Sequence, residues 1–271
     1  MGSAVFSNLF FMNFIDSHTH LYREYYPENF EEVIQRAIDA NVKQMLLACV
    51  NRETPDQIQE VVKLFPDNLF AMVGLHPSDV REDYLDVLAY LQTRLEDPNV
   101  VAVGEIGLDF YYDRIFEAQQ KDAFCQQLRW ARDLQLPLSL HIRSAYNEAI
   151  EILQQFKPGE LSGIVHCFSG GIQEAKWAVA RGFAIGIGGI VTFKNSKLPE
   201  LAKEIGLEHI VLETDAPYLA PTPHRGKPNE SAYIPLIAQK IAEIFDVSVR
   251  EVMEQTSRNV YSIFKKLPAN L

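Results

Sequence analysis

Histidine and carboxylate residues occur in five short segments of this sequence, each placed where an apolar run ends. The segments are 16–20, 104–109, 141–143, 166–170 and 213–217. Neutral imidazole and carboxylate groups are the ligands that hold Zn²⁺, Mn²⁺ or Mg²⁺ in hydrolytic sites. The residue types therefore predict metal-assisted hydrolysis, provided that the fold brings the five segments together.

The first segment contains two histidines, His18 and His20, which are two residues apart. On an extended strand such residues point the same way, so both imidazoles can reach one ion. Taken alone, this pair would fit two surface histidines at a polar strand end equally well. The apolar run before it and the four partner segments favour metal ligands.

Three carboxylates follow apolar runs. Glu105 ends the run 100–104, where a buried carboxylate is costly unless it is paired or bound to a metal. We predict it to be a ligand with a catalytic role, and a structural salt bridge is the alternative. Asp215 ends the run 210–214 and is predicted both to bind a metal and to accept a proton from the attacking water. Glu213 is predicted to orient a ligand.

Two further histidines, His141 and His166, also end apolar runs and are predicted to be ligands. Cys167 alternates away from His166, so we expect a packed thiol there. Arg143 lies two residues after His141, where its guanidinium could grip a phosphate or could pair with a helix carboxylate.

Two weaker candidates for substrate contact are His76 and Arg225. His76 ends the third apolar run, and a structural role is its alternative. Arg225 belongs to a basic loop between prolines, and a solvated loop is the alternative there. Both residues follow predicted strands, so we expect them on the same rim as the ligands.

Eight short apolar runs, which read as buried strands, alternate with longer amphipathic segments, which read as helices. The predicted strands are 14–17, 44–50, 69–75, 100–105, 138–141, 163–166, 183–188 and 210–213. The predicted helices are 31–41, 55–65, 83–96, 117–134, 145–156, 172–181, 198–205 and 231–245. One or two more helices are expected within 246–264.

This alternation predicts an α/β fold with a single (β/α)₈ TIM barrel, although an open doubly wound sheet has the same elements. The ligands decide between them, because they come from predicted strands one, four, five, six and eight. In an open sheet the first and last strands need not be neighbours, whereas a closed barrel places strand eight beside strand one, so that Asp215 can meet His18. We predict one barrel domain over residues 14–267, with 1–13 as an N-terminal extension or cloning residues.

The composition limits the partners. The formal net charge of −11 argues against electrostatic coating of nucleic acid, but it leaves a nuclease open because bound metal ions supply local positive charge. Three scattered cysteines indicate neither a disulfide framework nor a zinc ribbon and favour the reducing cytoplasm. No signal peptide or membrane span is predicted, and we expect a monomer.

The sequence resembles the TatD family of metal-dependent deoxyribonucleases, within the amidohydrolase-like barrels, from about residue 14 to about 264. The resemblance rests on motifs in this order: DSHTHL, GLHP, GEIGLDFYYD, HIR, HCFSG, GIVTFKN and ETDAPYLAPTPHRGKPNE. It implies a TIM barrel with the metal site at the carboxyl ends of its strands.

The resemblance also implies roles for individual residues. His18, His20 and Asp215 match the ligands of one metal position, and Glu105 matches the carboxylate that bridges to a second position. The second position has as its other ligands His141 and His166. The residues that match positions near the scissile phosphate are His76, Arg143 and, less closely, Arg225. One or two divalent ions are implied, whether Mg²⁺, Mn²⁺ or Zn²⁺.

The implied activity is cleavage of DNA phosphodiester bonds by a 3′–5′ exonuclease that acts on single strands or 3′ ends. An ester or amide hydrolase of the same superfamily, such as a D-aminoacyl-tRNA deacylase, uses the same chemistry on a carbonyl and is the main alternative. A catalytically inactive binding module is the remote alternative, which the complete ligand set disfavours.

Overall fold

Eight parallel strands form the centre of the computed structural model, which describes residues 13–268. The strands are β1 Phe14–Thr19, β2 Val42–Leu47, β3 Leu69–Val73, β4 Val100–Asp109, β5 Leu138–Arg143, β6 Gly163–Val165, β7 Phe183–Ile187 and β8 Ile210–Leu212. Each strand pairs with the next one in the sequence, in the order β1 to β8.

Helices cover the outside of the sheet. They are α1 Phe30–Asp39, α2 Thr54–Val62, α3 Tyr84–Arg94, α4 Glu117–Leu134, α5 Tyr146–Leu153, α6 Ile172–Ala180, α7 Leu198–Ile205, α8 Ile234–Phe245 and α9 Val249–Ile263. Within residues 13–268, no helix has the length and apolar character needed to cross a membrane.

The ring closes where β8 meets β1. Ser17 Oγ donates a hydrogen bond to the carbonyl of Leu212 at 2.9 Å, although the two residues are 195 positions apart. Just above, the Asp215 N–H donates to the His18 carbonyl at 3.0 Å, and the His20 N–H donates to that of Ala216 at 2.7 Å. The prediction of a barrel is confirmed, and the open sheet is excluded.

The strands are apolar because both of their faces are buried. Outward-facing residues pack under the helices, while inward-facing residues such as Ile15, Met72 and Val211 form a separate core inside the barrel. Three side chains from the end of the chain, Val260, Phe264 and Leu267, complete this inner core. The interior of the barrel is therefore filled toward the amino ends of its strands, and the functional site is expected at the other end.

The predicted element limits lie within a few residues of the observed ones, and the structure explains the differences at β4 and α8. β4 extends to Asp109 because Ile106 and Leu108 continue to pair with β5. α8 begins at Ile234, since Ser231–Tyr233 form a 3₁₀ turn before it. A single helix, α9, follows α8. The domain limits 14–267 stay a prediction, and the first twelve residues of the predicted extension lie outside the described residues.

A β-bulge places Glu105 at the centre of the barrel mouth. The β4–β5 register shifts between Gly104 and Ile106, so Glu105 has no partner in the β5 ladder. Its N–H donates instead to the carbonyl of Cys49, beyond the end of β2, at 2.9 Å. Bulges of this kind re-aim one side chain out of the alternating pattern, and here the carboxylate lies almost fully buried among histidines.

Candidate metal centre

The two oxygens of the Glu105 carboxylate face different groups of histidines. Oε1 lies 2.6 Å from His166 Nε2, 2.9 Å from His141 Nδ1 and 3.3 Å from His76 Nε2. Oε2 lies 3.3 Å from His18 Nε2 and 3.5 Å from that of His20. One carboxylate thus joins two clusters of imidazoles, which is compatible with the bridging role that the family resemblance implies; that role stays a prediction.

Asp215 completes the cluster on the Oε2 side. Its Oδ1 lies 3.3 Å from His20 Nε2 and 3.9 Å from His18 Nε2. The ligand atoms of these three residues lie within 4.8 Å of one another. The structure therefore brings together side chains from the first and the last strands, as the closed ring requires.

The donor set fits a divalent cation. The Tyr22 hydroxyl donates its hydrogen to the Ala48 carbonyl, so His20 Nδ1, 3.1 Å from that hydroxyl, must be the donor between them. In its neutral form the ring therefore directs its Nε2 lone pair toward the carboxylates of Glu105 and Asp215. Three groups of lone pairs converge on one space, and only a cation or a proton makes that arrangement favourable.

A second observation supports this fit. The Nε2 atom of His18 is fully buried and has no hydrogen-bond partner among the described residues. Buried polar atoms in proteins are nearly always satisfied, and an unpaired one calls for an ion or a water. The other ring nitrogen, Nδ1, lies 2.8 Å from Ser139 Oγ, which fixes the orientation of the ring.

The pKa shifts of Glu105 and His141 indicate that positive charge is favourable at this centre. Burial raises the pKa of Glu105, but the charges of His166, His76 and His18 lower it by more than burial raises it. The pKa of this carboxyl therefore lies well below its ordinary range. Burial lowers the pKa of His141, yet its hydrogen bonds with Asp109 and Glu105 raise it to about 9. The proton on His141 thus offsets part of the carboxylate charge, and a divalent cation that binds here through that imidazole must displace it.

His76 lies closer to the centre than the sequence indicated. Its ligand atom and those of Glu105 and His141 lie within 4.8 Å of one another, so its geometry also fits a metal ligand. His166 groups instead with His18 and Glu105, and its ring stacks on that of His18 with centroids 3.8 Å apart. The individual ligand roles therefore remain predictions.

A buried network holds the segment that carries Asp215. Asp16 accepts hydrogen bonds from the Thr214 N–H at 2.9 Å, from the Thr214 hydroxyl at 2.5 Å and from Ser231 Oγ at 2.6 Å. Asn229 Nδ2 donates to the carbonyls of Thr214 and Tyr218, each at 2.7 Å. This network fixes the backbone at Asp215, where φ is +55°, an unusual conformation for a residue other than glycine.

Glu213 lies directly behind the centre. Its Oε1 accepts a hydrogen bond from the Cys167 N–H at 2.5 Å, and burial raises its pKa well above the ordinary value. A side chain at Gly186 would lie 2.2 Å from the carboxyl group, so only glycine permits this approach. Because it holds the backbone next to His166, Glu213 has the position expected of a residue that orients a ligand. That role stays a prediction.

A cavity of about 640 Å³ opens above the centre. Its walls include Arg143, whose guanidinium forms no ion pair within residues 13–268, so the alternative of a pair with a helix carboxylate is excluded. Tyr25 and Tyr218, joined by a hydroxyl–hydroxyl hydrogen bond of 3.0 Å, form another part of the wall. Cys167 also lines the cavity and is half-buried, and the expectation that its thiol is packed stays a prediction.

Arg225 does not reach this cavity. The side chain is exposed, and its guanidinium lies over the ring of Phe193, 4.5 Å from the centroid. Its predicted contact with substrate therefore stays a prediction that this conformation does not support.

Several residues that support the centre were missed in the sequence. They are Tyr22, Tyr25, Ser139, Tyr218 and Asn229. Ser139 left a signal, because it is a hydroxyl inside an apolar strand two residues before His141 and therefore shares its face. The others left none, since they come from loops whose positions depend on tertiary packing.

A parallel barrel whose strand ends carry a buried cluster of imidazoles and carboxylates is the architecture of a metal-dependent hydrolase. Comparison with known proteins agrees. A family model described as TatD related DNase matches residues 15–265. This chain therefore belongs to that family, and it is a metal-dependent hydrolase.

Individual relatives span nearly the whole chain. It is 35% identical to the uncharacterized metal-dependent hydrolase YabD of Bacillus subtilis, over 92% of this chain and 98% of the relative. It is 34% identical to the 3′-5′ ssDNA/RNA exonuclease TatD of Erwinia tasmaniensis, over 86% of this chain and 93% of that one. The crystal structure of YJJV, a TatD homolog from Escherichia coli, superimposes with a TM-score of 0.85 and 29% identity, covering 94% and 99% of the two chains.

Proposed function

We propose that this protein hydrolyses phosphodiester bonds of DNA, as a 3′–5′ exonuclease on single strands or 3′ ends. The observation that carries the proposal is the Glu105 carboxylate, which joins two clusters of imidazoles beneath a cavity that also presents an unpaired arginine, Arg143. A phosphodiester brings negative charge to this cavity, and the arginine matches it. The exonuclease name of the Erwinia relative supports the same activity.

We propose that one or two divalent ions, whether Mg²⁺, Mn²⁺ or Zn²⁺, are held by side chains of the centre. The proposed ligands are His18, His20, Glu105, His141, His166 and Asp215. When bound, such an ion supplies positive charge for the phosphate oxygens and lowers the pKa of water.

The residues of the chain then have separate tasks. Asp215 accepts a proton from the attacking water, because its carboxylate lies at the edge of the cluster and opens into the cavity. Glu105 holds the two clusters at a fixed separation. His76 and Arg143 donate hydrogen bonds to the oxygens of the phosphate, whose charge grows as the water oxygen bonds to phosphorus and the bond to the leaving oxygen breaks.

The proposed activity also has an expected oligomeric state, location and partner. We expect a monomer that acts in the cytoplasm, on DNA as a transient partner. All three cysteines are free thiols, which fits a reducing compartment.

The test is a gel assay on single-stranded DNA labelled separately at its 5′ and 3′ ends. Wild-type protein is compared in Mg²⁺, in Mn²⁺ and in chelator, with Glu105→Ala purified in parallel as the control for contaminating nuclease. We expect metal-dependent shortening from the 3′ end that the variant lacks.

Either of two results would contradict the proposal. Full activity of metal-loaded Glu105→Ala would remove Glu105 from the machinery. Intact DNA under every metal would leave the hydrolase without a phosphodiester substrate, and release of the amino acid from a D-aminoacyl-tRNA would then be measured instead.

A further inference from the structure

A second cavity, of about 380 Å³, adjoins the one above the metal centre. Ser78 lines both cavities, so they are neighbours at the rim beyond β3 and β4. The second cavity also has Arg81, Tyr112 and Phe116 in its walls. Arg81, Tyr112 and Phe116 take no part in the cluster of imidazoles and carboxylates, whereas Asp109, also in these walls, lies 3.1 Å from His141 Nε2.

Two tyrosines stand between the cavities with most of their surface in solvent. Tyr111 is 56% exposed and Tyr112 is 79% exposed. Their rings meet edge to face, with centroids 4.8 Å apart. The guanidinium of Arg143, which lines the first cavity, lies 3.7 Å from the ring centroid of Tyr111 and 5.3 Å from that of Tyr112. Together Arg143, Tyr111 and Tyr112 form a wall that reaches from one cavity to the next.

The loop that carries this wall is held by its own hydrogen bonds. Asp109 Oδ1 accepts from the Tyr111 N–H at 2.9 Å, and Asp113 Oδ1 accepts from the Ile115 N–H at 3.0 Å. These contacts fix the backbone on both sides of Tyr112 while its ring stays unpacked. A fixed and exposed aromatic ring can stack on a flat ligand with little loss of conformational entropy.

Positive charge accompanies the exposed ring. Arg81 is exposed, donates to the neighbouring Val80 carbonyl at 2.7 Å and forms no ion pair with any residue from 13 to 268. Its guanidinium lies 5.7 Å from the centroid of Phe116, on the wall of the second cavity. An aromatic surface beside an unpaired cation is the combination that binds the base and the backbone of a single strand.

We infer that the second cavity binds a nucleotide adjacent to the scissile phosphate, with its base stacked on Tyr112 and its own phosphate near Arg81. This inference rests on the proposed function and adds the path of the strand. It requires an unpaired strand, because the face of a base is accessible only when it is not stacked inside a duplex. The selection of single strands then arises at Tyr112 and not at the metal centre.

The test compares two variants with matched controls. Tyr112→Ala removes the ring, and Leu85→Ala removes a similarly exposed apolar side chain on α3. Arg81→Gln removes one charge, and Arg258→Gln removes one on α9, at the other end of the barrel. The dissociation constant of a fluorescent single-stranded oligonucleotide is measured by anisotropy in chelator, where no turnover occurs. We expect Tyr112→Ala to raise it about five- to a hundredfold, and each control less than about twofold.

A substrate change gives an independent readout. An abasic residue is placed in turn on either side of the scissile phosphate, and kcat/KM is measured with metal. At one of the two positions, we expect the abasic residue to lower kcat/KM of the wild type. The factor should be about the one by which Tyr112→Ala lowers kcat/KM on intact DNA. For Tyr112→Ala, kcat/KM should be the same on the abasic strand as on intact DNA, because the ring and the base form one contact, which the substitution has already removed.

The inference and the proposed function fail in different ways. Three results would overturn the strand path even if metal-dependent cleavage is observed. They are equal affinities of Tyr112→Ala and Leu85→Ala for the oligonucleotide, no binding by the wild type, and reductions of kcat/KM by the abasic residue and by Tyr112→Ala that are fully additive in free energy. Intact DNA under every metal would overturn the nuclease, and the anisotropy comparison would still decide whether the tyrosine binds a base.

Discussion

The two ends of the barrel interior are built from opposite kinds of residue. Toward the amino ends of the strands, apolar side chains such as Ile15, Met72 and Val211 pack against Phe264. Toward the carboxyl ends, five imidazoles and two carboxylates, all buried or half-buried, lie within a few ångströms of one another. The same eight strands thus support a conventional core at one end and a concentration of charge at the other.

This difference separates stability from chemistry. Apolar packing stabilises the folded state in proportion to the area removed from water. Buried ionisable groups do the reverse unless they are paired, and active sites are commonly less stable than an apolar replacement would be. We therefore expect substitutions at the apolar end to change unfolding, and substitutions at the polar end to change turnover.

The largest effect is expected from Glu105→Gln, which keeps the shape of the side chain and removes its charge. We expect kcat to fall at least about a thousandfold, because several kcal/mol of electrostatic stabilisation is lost and each 1.36 kcal/mol is a factor of ten. In chelator, its melting temperature should stay within a few degrees of wild type. Residual activity above about a tenth of wild type would contradict the expectation that turnover depends on the charged groups at the polar end.

The apolar end is tested by Phe264→Ala. The ring is fully buried in the inner core, so its removal should lower the free energy of unfolding by about 3–5 kcal/mol. Urea denaturation measures this loss, and Leu85→Ala, at an exposed position, is the control. At 25 °C, kcat per folded molecule should match wild type within about twofold. A fall in kcat without loss of stability would show that the two ends are coupled.

Metal binding should stabilise the polar end. At a free metal concentration of about 100 times the dissociation constant, linkage adds about 2.7 kcal/mol to the free energy of unfolding. Thermal melts in chelator and in Mn²⁺ measure this gain for wild type. His18→Ala should lose most of it, because the mutation removes a proposed ligand atom that is buried without a hydrogen-bond partner among the described residues. An equal shift in both proteins would place the metal elsewhere.

The smallest effect is expected from Ser139→Ala. The hydroxyl lies 2.8 Å from His18 Nδ1 and orients the ring, and the loss of such a partner costs about ten- to a hundredfold in metal affinity or activity. Isothermal titration with Mn²⁺ and kcat measure the two effects. Ser162→Ala, at an exposed serine, is the control. Unchanged metal affinity would mean that backbone packing alone orients His18.

Most of the fold could be predicted from the sequence, because strands buried on both faces are continuously apolar. The runs around Met72 and Val103 illustrate this pattern, and their flanking helices are amphipathic. The end of β4 could not be predicted, since Glu105 looks like a strand end in the sequence. Only the register of β5 reveals that the chain continues past it as a bulge.

The centre was predictable where a residue type carries the chemistry, as at His18 and Asp215. The surrounding contacts were not, because they join residues distant in the sequence through hydrogen bonds. Asn229 holds two loop carbonyls near Asp215, and nothing in its local sequence indicates that task. Arg225 shows the opposite case, in which the sequence suggested a contact with substrate that the structure does not show. The guanidinium lies over the ring of Phe193, away from the cavity.

The seam between β1 and β8 also governs when the centre can exist during synthesis. His18 emerges from the ribosome early, whereas Asp215 is translated almost 200 residues later, and the hydrogen bonds between their strands span that whole interval. A nascent or truncated chain that lacks β8 has neither the seam nor the carboxylate, and thus no complete set of ligands. With Asp215 as a proposed ligand, we therefore expect hydrolytic competence only after the last strand has closed the ring.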